Sequence, residues 1–308
     1  MKRPSTIVAI FGPTGIGKTA VAIALAERLR GEGEDPAAVS ADALQRYAGL
    51  EILTGAPDAA ERARLEHRLV GTLALTDTSS AGEYARAAHA EIDGLLAQGR
   101  RPIVVGGTGL YLRAALADLD LRPPVPPDVR ARRRAQLEAE GAPALHEELA
   151  VRAPAAAAAI RPADAQRVTR ALELLDAGQA PPAGAEDSKL WTAALRRPTL
   201  LAGLTMERPE LVERIEARVD AMVAAGAAEE VRAADAAGAS PGARQALGFR
   251  ALLDGDVEAM KAETRRYAKR QLTWMRKLPD VTTIDVTGRE PGAVAAELHA
   301  ALRAREAA

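Results

Sequence analysis

Residues 12–19, Gly-Pro-Thr-Gly-Ile-Gly-Lys-Thr, constrain the fold of this chain more than any other segment. They match the pattern of two glycines separated by four residues and followed by Lys-Thr. Residues 7–11, just before them, are apolar and partly β-branched, the composition of a buried parallel strand. Just after them, Val21, Leu25 and Leu29 recur at helical spacing. A strand, a glycine-rich turn and a helix in this order predict a phosphate-binding loop, or P-loop.

The residue types of this loop suit a polyphosphate. Glycines let the main chain wrap around oxyanions, so that several N–H groups and the positive end of the helix converge on phosphate. Lys18 adds a mobile positive charge, and the hydroxyl of Thr19 can ligate Mg2+. We therefore predict a phosphate site made by Gly12, Pro13, Thr14, Gly15, Ile16, Gly17, Lys18 and Thr19.

Further apolar segments predict the rest of the fold. Strands are expected at 37–40, 102–105, 199–204 and 281–286, and helices at 81–98, 209–225, 227–238 and 292–304. Residues 48–80 are expected to be loop-like. Strands that alternate with helices indicate an α/β fold, here a P-loop NTPase-like parallel sheet flanked by helices.

A proline-rich segment at 121–128 interrupts this alternation, because four prolines in five residues cannot continue a helix. The sequence beyond it is helical in character at 129–140, 143–149 and 166–176. We therefore predict a catalytic core of residues 1–118 and 195–308. A helical domain, residues 119–194, is inserted between them, with 181–184 as its exit loop.

Two other polar segments follow predicted strands. Asp42 comes after the second strand, either beside the phosphate loop, since ligands sit at the carboxyl ends of parallel strands, or as a loop or helix cap. Gly106, Gly107 and Thr108 follow the strand at 102–105, where an ATPase usually carries an acid. This absence counts against an ordinary ATPase and suggests that a hydroxyl and main-chain amides meet a leaving group.

Basic residues cluster in two places. Arg130, Arg132, Arg133 and Arg134 by themselves favour a solvated, salt-bridged helix face. Residues 264–277 hold six Lys or Arg and no acid, with Tyr267 and Trp274 among them. This segment is either a footprint for a phosphate backbone or an amphipathic helix docked by Leu272 and Trp274.

Composition excludes several other functions. The net charge is -1, so any basic surface must be local. The absence of cysteine excludes disulfides, thiolate catalysis and cysteine-ligated zinc. Residues 1–4 lead directly into the first strand without a signal peptide, and no apolar run is long enough to span a membrane. We expect a cytoplasmic protein, a monomer, with no membrane contact.

Several motifs occur together in an order that resembles the tRNA dimethylallyltransferase family, the isopentenyltransferases that modify the adenine immediately 3′ of the anticodon. These motifs are residues 12–19, Ser40-Ala41-Asp42 with Gln45-Arg46-Tyr47, residues 106–111, residues 164–173, Arg214-Ile215 with Arg218 and Met222, residues 248–250, and residues 267–274. The chain departs from the family pattern at three places. Ala43 replaces serine, residues 53–57 (Leu-Thr-Gly-Ala-Pro) replace Gly-Thr-Ala-Lys-Pro, and Phe249 replaces tyrosine.

The resemblance implies transfer of a dimethylallyl group from dimethylallyl diphosphate to N6 of adenosine. The phosphate loop then holds the diphosphate of the donor, with Mg2+ at Thr19. Asp42 is implied as the base that takes the N6 proton, Thr108 as the contact to the bridging oxygen, and Arg218 with Lys18 as contacts to the diphosphate. The implied tRNA contacts are Asp42, Ala43, Leu44, Gln45, Thr108, Arg130, Gln166, Arg167, Val168, Thr169 and Arg170, with residues 244–250 weaker.

Two other functions stay open at this point. A small-molecule kinase shares the phosphate loop and a helical lid, and would transfer phosphate from ATP. A non-catalytic RNA-binding protein could also be built on this scaffold, although Lys18, Asp42, Thr108 and Arg218 argue against it.

Overall fold

The structure, a computed structural model, describes residues 6–122, 125–182 and 189–307. These form two compact units. The larger comprises the described residues up to Asp118 and from Trp191 onward, and the smaller runs from Leu119 to Leu190. Residues 1–4, part of the proline run (123–124) and part of the predicted exit loop (183–184) lie outside the described residues.

A single parallel sheet organises the larger unit. In the described residues its strands are β1 (Ile7–Phe11), β2 (Pro36–Ser40), β3 (His67–Arg68), β4 (Arg101–Gly106), β5 (Thr199–Thr205) and β6 (Thr282–Asp285). Their spatial order is β3-β2-β4-β1-β5-β6, and every pairing is parallel. The predicted α/β fold with a parallel sheet is confirmed.

Helices connect the strands and cover the sheet. Those of the larger unit are α1 (Lys18–Gly31), α2 (Glu51–Thr54), α3 (Ala59–Arg64), α4 (Ala81–Ala97) and α5 (Gly109–Leu116), and, after the smaller unit, α9 (Arg208–Ala224), α10 (Ala227–Ala236), α11 (Phe249–Leu253), α12 (Val257–Met275) and α13 (Pro291–Ala307). The smaller unit contains α6 (Pro127–Arg152), α7 (Pro154–Ala158) and α8 (Ala165–Asp176).

The core of the larger unit surrounds β1, whose five residues are all buried. Val21, Leu25 and Leu29, predicted from their spacing, lie on the buried face of α1 and are at most 2% exposed. Burial of each such side chain contributes about 1.5–3 kcal/mol to folding. This packing fixes α1 directly behind β1 and therefore fixes the turn between them.

Residues 48–80 differ from the loop predicted for them, since they contain α2, α3 and β3. The side chain of Asp58 accepts from the main-chain N–H of Glu61 at 2.8 Å, and the Glu61 carboxylate accepts from the N–H of Asp58 at 3.1 Å. This reciprocal capping box starts α3 and is a sequence signal that could have located it. β3 has two residues and exists only through its pairing with β2, which no local pattern encodes.

The smaller unit is helical, with an apolar core that includes Leu145, Leu149, Val168 and Leu172. Gly141 breaks α6 with φ 79° and ψ 165°, which divides it into the two segments expected at 129–140 and 143–149.

A buried ion-pair network holds α6 to α8. Arg133 is 6% exposed and donates to Asp176 and to Glu148, each at 2.7 Å. Hydrogen bonds from Arg133 hold the pKa of Glu148 at about 2 and also lower the pKa of Asp176. Arg132 pairs with Asp176 as well, at 3.1 Å. Arg132 therefore fits the solvated, salt-bridged interpretation of the arginine cluster, whereas Arg133 is salt-bridged but buried, so it is not part of a solvated face.

None of the helices formed by the described residues is both long enough and apolar enough to cross a membrane.

Candidate functional site

The carboxyl ends of β1, β2 and β4 open into a cavity of about 980 Å³ in the larger unit. Ligands collect at this edge of parallel sheets, because loops and helix N-termini converge there. The cavity is lined, among others, by Thr14, Gly15, Gly17, Lys18, Thr19, Asp42, Ala43, Leu44, Gln45, Thr108 and Arg218. Gly12, Pro13 and Ile16 of the predicted loop are buried behind that lining.

The phosphate loop is shaped by glycines in left-handed conformations. Gly15 has φ 81° and Gly17 has φ 92°, a region that side chains with a Cβ rarely adopt. Gly17 is the N-cap of α1. The chain therefore turns tightly from β1 into α1 and directs the positive end of the helix at the cavity.

Lys18 folds back over its own loop, where its Nζ donates to the carbonyls of Gly12 at 3.0 Å and Pro13 at 2.9 Å. Burial and the charge of Arg218 lower the pKa of Lys18 to about 8, while Asp42 opposes this shift. Two cations close enough to repel each other create a site that an anion such as diphosphate would stabilise.

Asp42 follows β2 and satisfies both interpretations of its position. Its Oδ1 accepts from the N–H of Leu44 at 2.9 Å, which shapes the turn, and the residue also lines the cavity. Gln45 secures the same turn, since its Oε1 accepts from the Ser40 hydroxyl at 2.9 Å and its Nε2 donates to the Gly55 carbonyl at 3.2 Å.

Arg218 reaches the cavity from α9, and its Nη2 donates to the carbonyl of Gly55 at 3.4 Å. Burial lowers the pKa of Arg218, against the attraction of Glu61 and Asp42. Gly55 has φ 57°, and a Cβ there would collide with the guanidinium of Arg218. The segment at 53–57, where the chain departs from the family pattern, thus leaves room for Arg218.

Glu230 holds this segment in place. Its carboxylate accepts from the N–H groups of Ile52 at 2.9 Å and Leu53 at 2.7 Å, at the start of α2. This carboxylate satisfies two of the N–H groups that the first turn of a helix leaves without an intrahelical partner.

Thr108 is the N-cap residue of α5 and follows β4 after one residue, Gly107. Its Oγ1 lies 3.1 Å from the hydroxyl of Tyr267 on α12. Burial and the charge of Asp42 raise the pKa of Tyr267 to about 12, so the phenol keeps its proton at neutral pH.

Gln271 on α12 also contacts the site. It accepts from the N–H of Thr14 at 2.8 Å and donates to the carbonyl of Gly107 at 2.9 Å. The sequence placed Tyr267 in a possible phosphate-backbone footprint and both Tyr267 and Gln271 in a family motif, but assigned neither residue to the cavity. A signal was available for Gln271, because Thr264, Ala268, Gln271 and Met275 recur at helical spacing as the buried face of α12.

A family model described as IPP transferase matches residues 45–278, more than half of the chain. The chain belongs to the IPP transferase family. The resemblance that the motifs predicted is confirmed.

Relatives of this IPP transferase family member align over most of its length. A tRNA dimethylallyltransferase of Thermobifida fusca is 41% identical over 294 residues, covering 90% of this chain and 89% of the relative. One from Phenylobacterium zucineum is 44% identical over 283 residues, covering 87% and 88%. The crystal structure of a full-length tRNA isopentenylpyrophosphate transferase from Bacillus halodurans is 32% identical with a TM-score of 0.70, covering 98% of this chain and 97% of that one.

In this member of the IPP transferase family, the residues predicted to contact RNA in the smaller unit differ in exposure. Gln166 and Arg167 on α8 are exposed, and Arg167 pairs with Asp164 at 3.5 Å. Arg170 pairs with Glu173 at 3.1 Å, while Thr169 on α8 and Arg130 on α6 are partly exposed. Val168 is fully buried in the core of its unit, so its side chain is not accessible to RNA, and its predicted tRNA contact stays a prediction. Only its main chain is left to touch RNA.

The basic segment at 264–277 lies almost entirely on α12. Its exposed cations are Arg266, Lys269, Arg270, Arg276 and Lys277, whereas Arg265 pairs with Glu216 at 2.6 Å. Leu272 packs against the core, and Trp274 contacts Trp191 with ring centroids 4.5 Å apart. The helix is therefore docked as the amphipathic interpretation predicted, and it still presents a basic surface.

Proposed function

We propose that this chain transfers a dimethylallyl group from dimethylallyl diphosphate to N6 of the adenosine immediately 3′ of the anticodon, position 37. The substrates are tRNAs reading codons that begin with U, and the product is N6-isopentenyladenosine. One observation carries the proposal. A phosphate loop, a carboxylate (Asp42), a hydroxyl (Thr108) and an arginine (Arg218) line one cavity in a chain whose family consists of IPP transferases.

The phosphate loop binds the donor substrate, dimethylallyl diphosphate. Its N–H groups, Lys18 and Arg218 bind the diphosphate, and their charges offset the negative charge that builds up as the C–O bond breaks. Thr108 donates to the oxygen that bridges the diphosphate to the dimethylallyl carbon. Donors aimed at that oxygen stabilise the transition state more than the ground state.

Asp42 acts at the acceptor end. The N6 lone pair of adenine is delocalised into the ring, so this nitrogen is a poor nucleophile until a base takes its proton. As the N6–carbon bond forms and the carbon–oxygen bond to diphosphate breaks, the Asp42 carboxylate accepts one N6 proton. The products are prenylated adenine, diphosphate and protonated Asp42, which returns the proton to water.

The donor set of the cavity is compatible with Mg2+. The described residues contain no cluster of three or more His, Cys, Asp or Glu side chains that could bind a metal without the substrate. Mg2+ commonly takes one or two protein ligands and fills its shell with substrate phosphates and water. Thr19 would supply its hydroxyl as such a ligand. The ion would neutralise charge on the departing diphosphate.

The RNA has to present its adenine unstacked, because a base inside a helix cannot reach an enclosed site. We assign the recognition of the anticodon stem-loop to the turn at 42–45, to Arg130 and to residues 166–170, with Val168 limited to its main chain. The exposed cations of α12 add contacts to the phosphate backbone. We propose that the enzyme works as a cytoplasmic monomer.

A kinase is the less favoured function, because Gly106, Gly107 and Thr108 stand at the carboxyl end of β4 in place of the acid expected for phosphoryl transfer. The deciding experiment incubates the protein with labelled dimethylallyl diphosphate, Mg2+ and an unmodified anticodon stem-loop. We expect label in the RNA and none in a stem-loop with guanine in place of the target adenine. A parallel reaction supplies ATP and small-molecule acceptors. ATP consumption there, without transfer of label to RNA, would refute the proposal.

The rate should depend on pH through Lys18. With a pKa of about 8, Lys18 is protonated below this pH and neutral above it in the free enzyme. Because only the cation binds diphosphate well, kcat/KM for dimethylallyl diphosphate should fall by about tenfold per pH unit above about pH 8. The Lys18→Arg variant should show no such fall, since a guanidinium stays charged. Identical profiles for the two proteins would contradict this role of Lys18.

A further inference from the structure

Two side chains of α12, Tyr267 and Gln271, contact the site without a role in the chemistry described above. They are four residues apart and therefore share one face of the helix. Both line the cavity, and Gln271 is only 4% exposed. A buried amide needs partners for its N–H groups and its oxygen, so its contacts identify what it does.

Gln271 joins the phosphate loop to the turn after β4. Its Oε1 accepts from the N–H of Thr14 at 2.8 Å, and its Nε2 donates to the carbonyl of Gly107 at 2.9 Å. A main-chain N–H can only donate and a carbonyl can only accept, so these partners determine which end of the amide faces which loop. A Cβ at Gly107 would collide with Nε2, so the absence of a side chain there makes room for the amide.

Tyr267, one turn before Gln271 on the same face of α12, lies beside Thr108. Burial and the charge of Asp42 raise the pKa of Tyr267 to about 12, so its phenol carries a proton at neutral pH. The phenolic proton is then available to Thr108, whose Oγ1 lies 3.1 Å away. If Thr108 accepts that proton in a hydrogen bond, its own hydroxyl proton is left to face the cavity.

We propose that Gln271 and Tyr267 are positioning residues: Gln271 ties the phosphate loop to the turn after β4, and Tyr267 aims the hydroxyl proton of Thr108 at the bridging oxygen of the diphosphate. The Tyr267 part rests on the proposed function, because it presumes that a diphosphate leaves beside Thr108. The Gln271 part requires only that the loop binds diphosphate.

The Tyr267→Phe variant tests the aiming of Thr108. We expect kcat to fall about tenfold, with KM for dimethylallyl diphosphate within about twofold of wild type, because the lost orientation matters in the transition state. Tyr111→Phe is the matched control. It removes a phenol whose ring packs against Tyr84 with centroids 4.4 Å apart, and it should keep wild-type kinetics. An unchanged kcat, or a raised KM at normal kcat, would overturn this part.

The Gln271→Met variant tests the link between the two loops by ligand binding alone, without the transfer reaction. Methionine has a similar volume but cannot make either hydrogen bond. Titration calorimetry with inorganic diphosphate should show affinity about tenfold weaker than wild type, because the loop must be ordered on binding. Circular dichroism and a thermal melt establish that the variant is folded. Wild-type affinity in the folded variant would overturn the role of Gln271.

The Gln271→Glu variant adds a readout that general destabilisation would not produce. An ionised carboxyl cannot donate to Gly107, whereas a protonated carboxyl has both a donor and an acceptor. Burial raises the pKa of such a carboxyl. The activity deficit relative to wild type should therefore shrink as the pH is lowered from about 8 to about 5.5, and a constant ratio would count against the proposal.

The proposed function and the role of Gln271 can be refuted by different experiments. A wild-type chain that transfers no dimethylallyl group would refute the proposed function and the Tyr267 part with it. The calorimetric comparison of wild type with Gln271→Met would still decide the Gln271 part.

Discussion

The Asp42→Asn variant should bind the anticodon stem-loop as wild type does and lose about 10³-fold in kcat. Asparagine keeps the shape of aspartate and can still accept the hydrogen bond from the N–H of Leu44, so the turn after β2 is preserved. It cannot take a proton from N6, and a positioned general base contributes roughly 10²–10⁴-fold to a rate. Single-turnover transfer of labelled dimethylallyl, measured beside RNA binding, gives both quantities.

Asp58→Asn is the matched control, because Asp58 also lines the cavity while its side chain caps α3. Asparagine caps a helix as well as aspartate does, so this variant should keep its turnover. Near-normal turnover of Asp42→Asn would refute the role of Asp42 as the base. A parallel loss in both variants would attribute the effect to the charge of the cavity and not to proton transfer.

The Arg218→Met variant should lose about 10²–10³-fold in kcat/KM for dimethylallyl diphosphate, the usual effect of removing one donor aimed at developing negative charge. Methionine keeps an unbranched side chain and removes the charged guanidinium, which lies beside Gly55. A second effect follows from the pKa of Lys18, which the charge of Arg218 helps to lower. Without that charge, the fall in kcat/KM should move to higher pH.

Arg208→Met is the control for this variant, since Arg208 lies exposed in the first turn of the same helix. It should leave the kinetics unchanged. If Arg218→Met showed full activity, or lost activity without any movement of the pH profile, the direct electrostatic role of Arg218 would be wrong.

The sequence predicted the elements whose local pattern and tertiary role agree. Residues 7–11 are uniformly apolar because β1 lies between β4 and β5, covered on both faces, so composition alone located the strand. The break in α6 at Gly141 also agrees with the prediction, because the expected helical segments end at 140 and begin again at 143. β3 was missed because its two residues depend on β2 for their conformation, and α7 because a run of alanines has no apolar face to detect.

For the site, the sequence predicted residues held by short-range geometry and missed those that arrive through tertiary contacts. The phosphate loop and Thr108 each follow a strand, so their position at the sheet edge could be inferred from the strand alone. Gln271 contacts Thr14 across 257 positions, and no local spacing encodes such a pair. Arg218, which contacts Gly55 across 163 positions, was assigned from the family resemblance and not from its spacing. Val168 is the opposite case. The family motif assigned this residue to the tRNA contacts, but the motif does not indicate which face of α8 is buried.

The hydrogen bond between Thr14 and Gln271 also has a consequence for biosynthesis. The ribosome synthesises the phosphate loop among the first residues. It synthesises Gln271, which holds the loop, only near the end, after α9, α10 and α11. A nascent chain therefore contains the loop residues long before Gln271 can hold them. On the proposed function, we expect prematurely terminated chains that lack Gln271 to bind the prenyl donor more weakly than the finished polypeptide does.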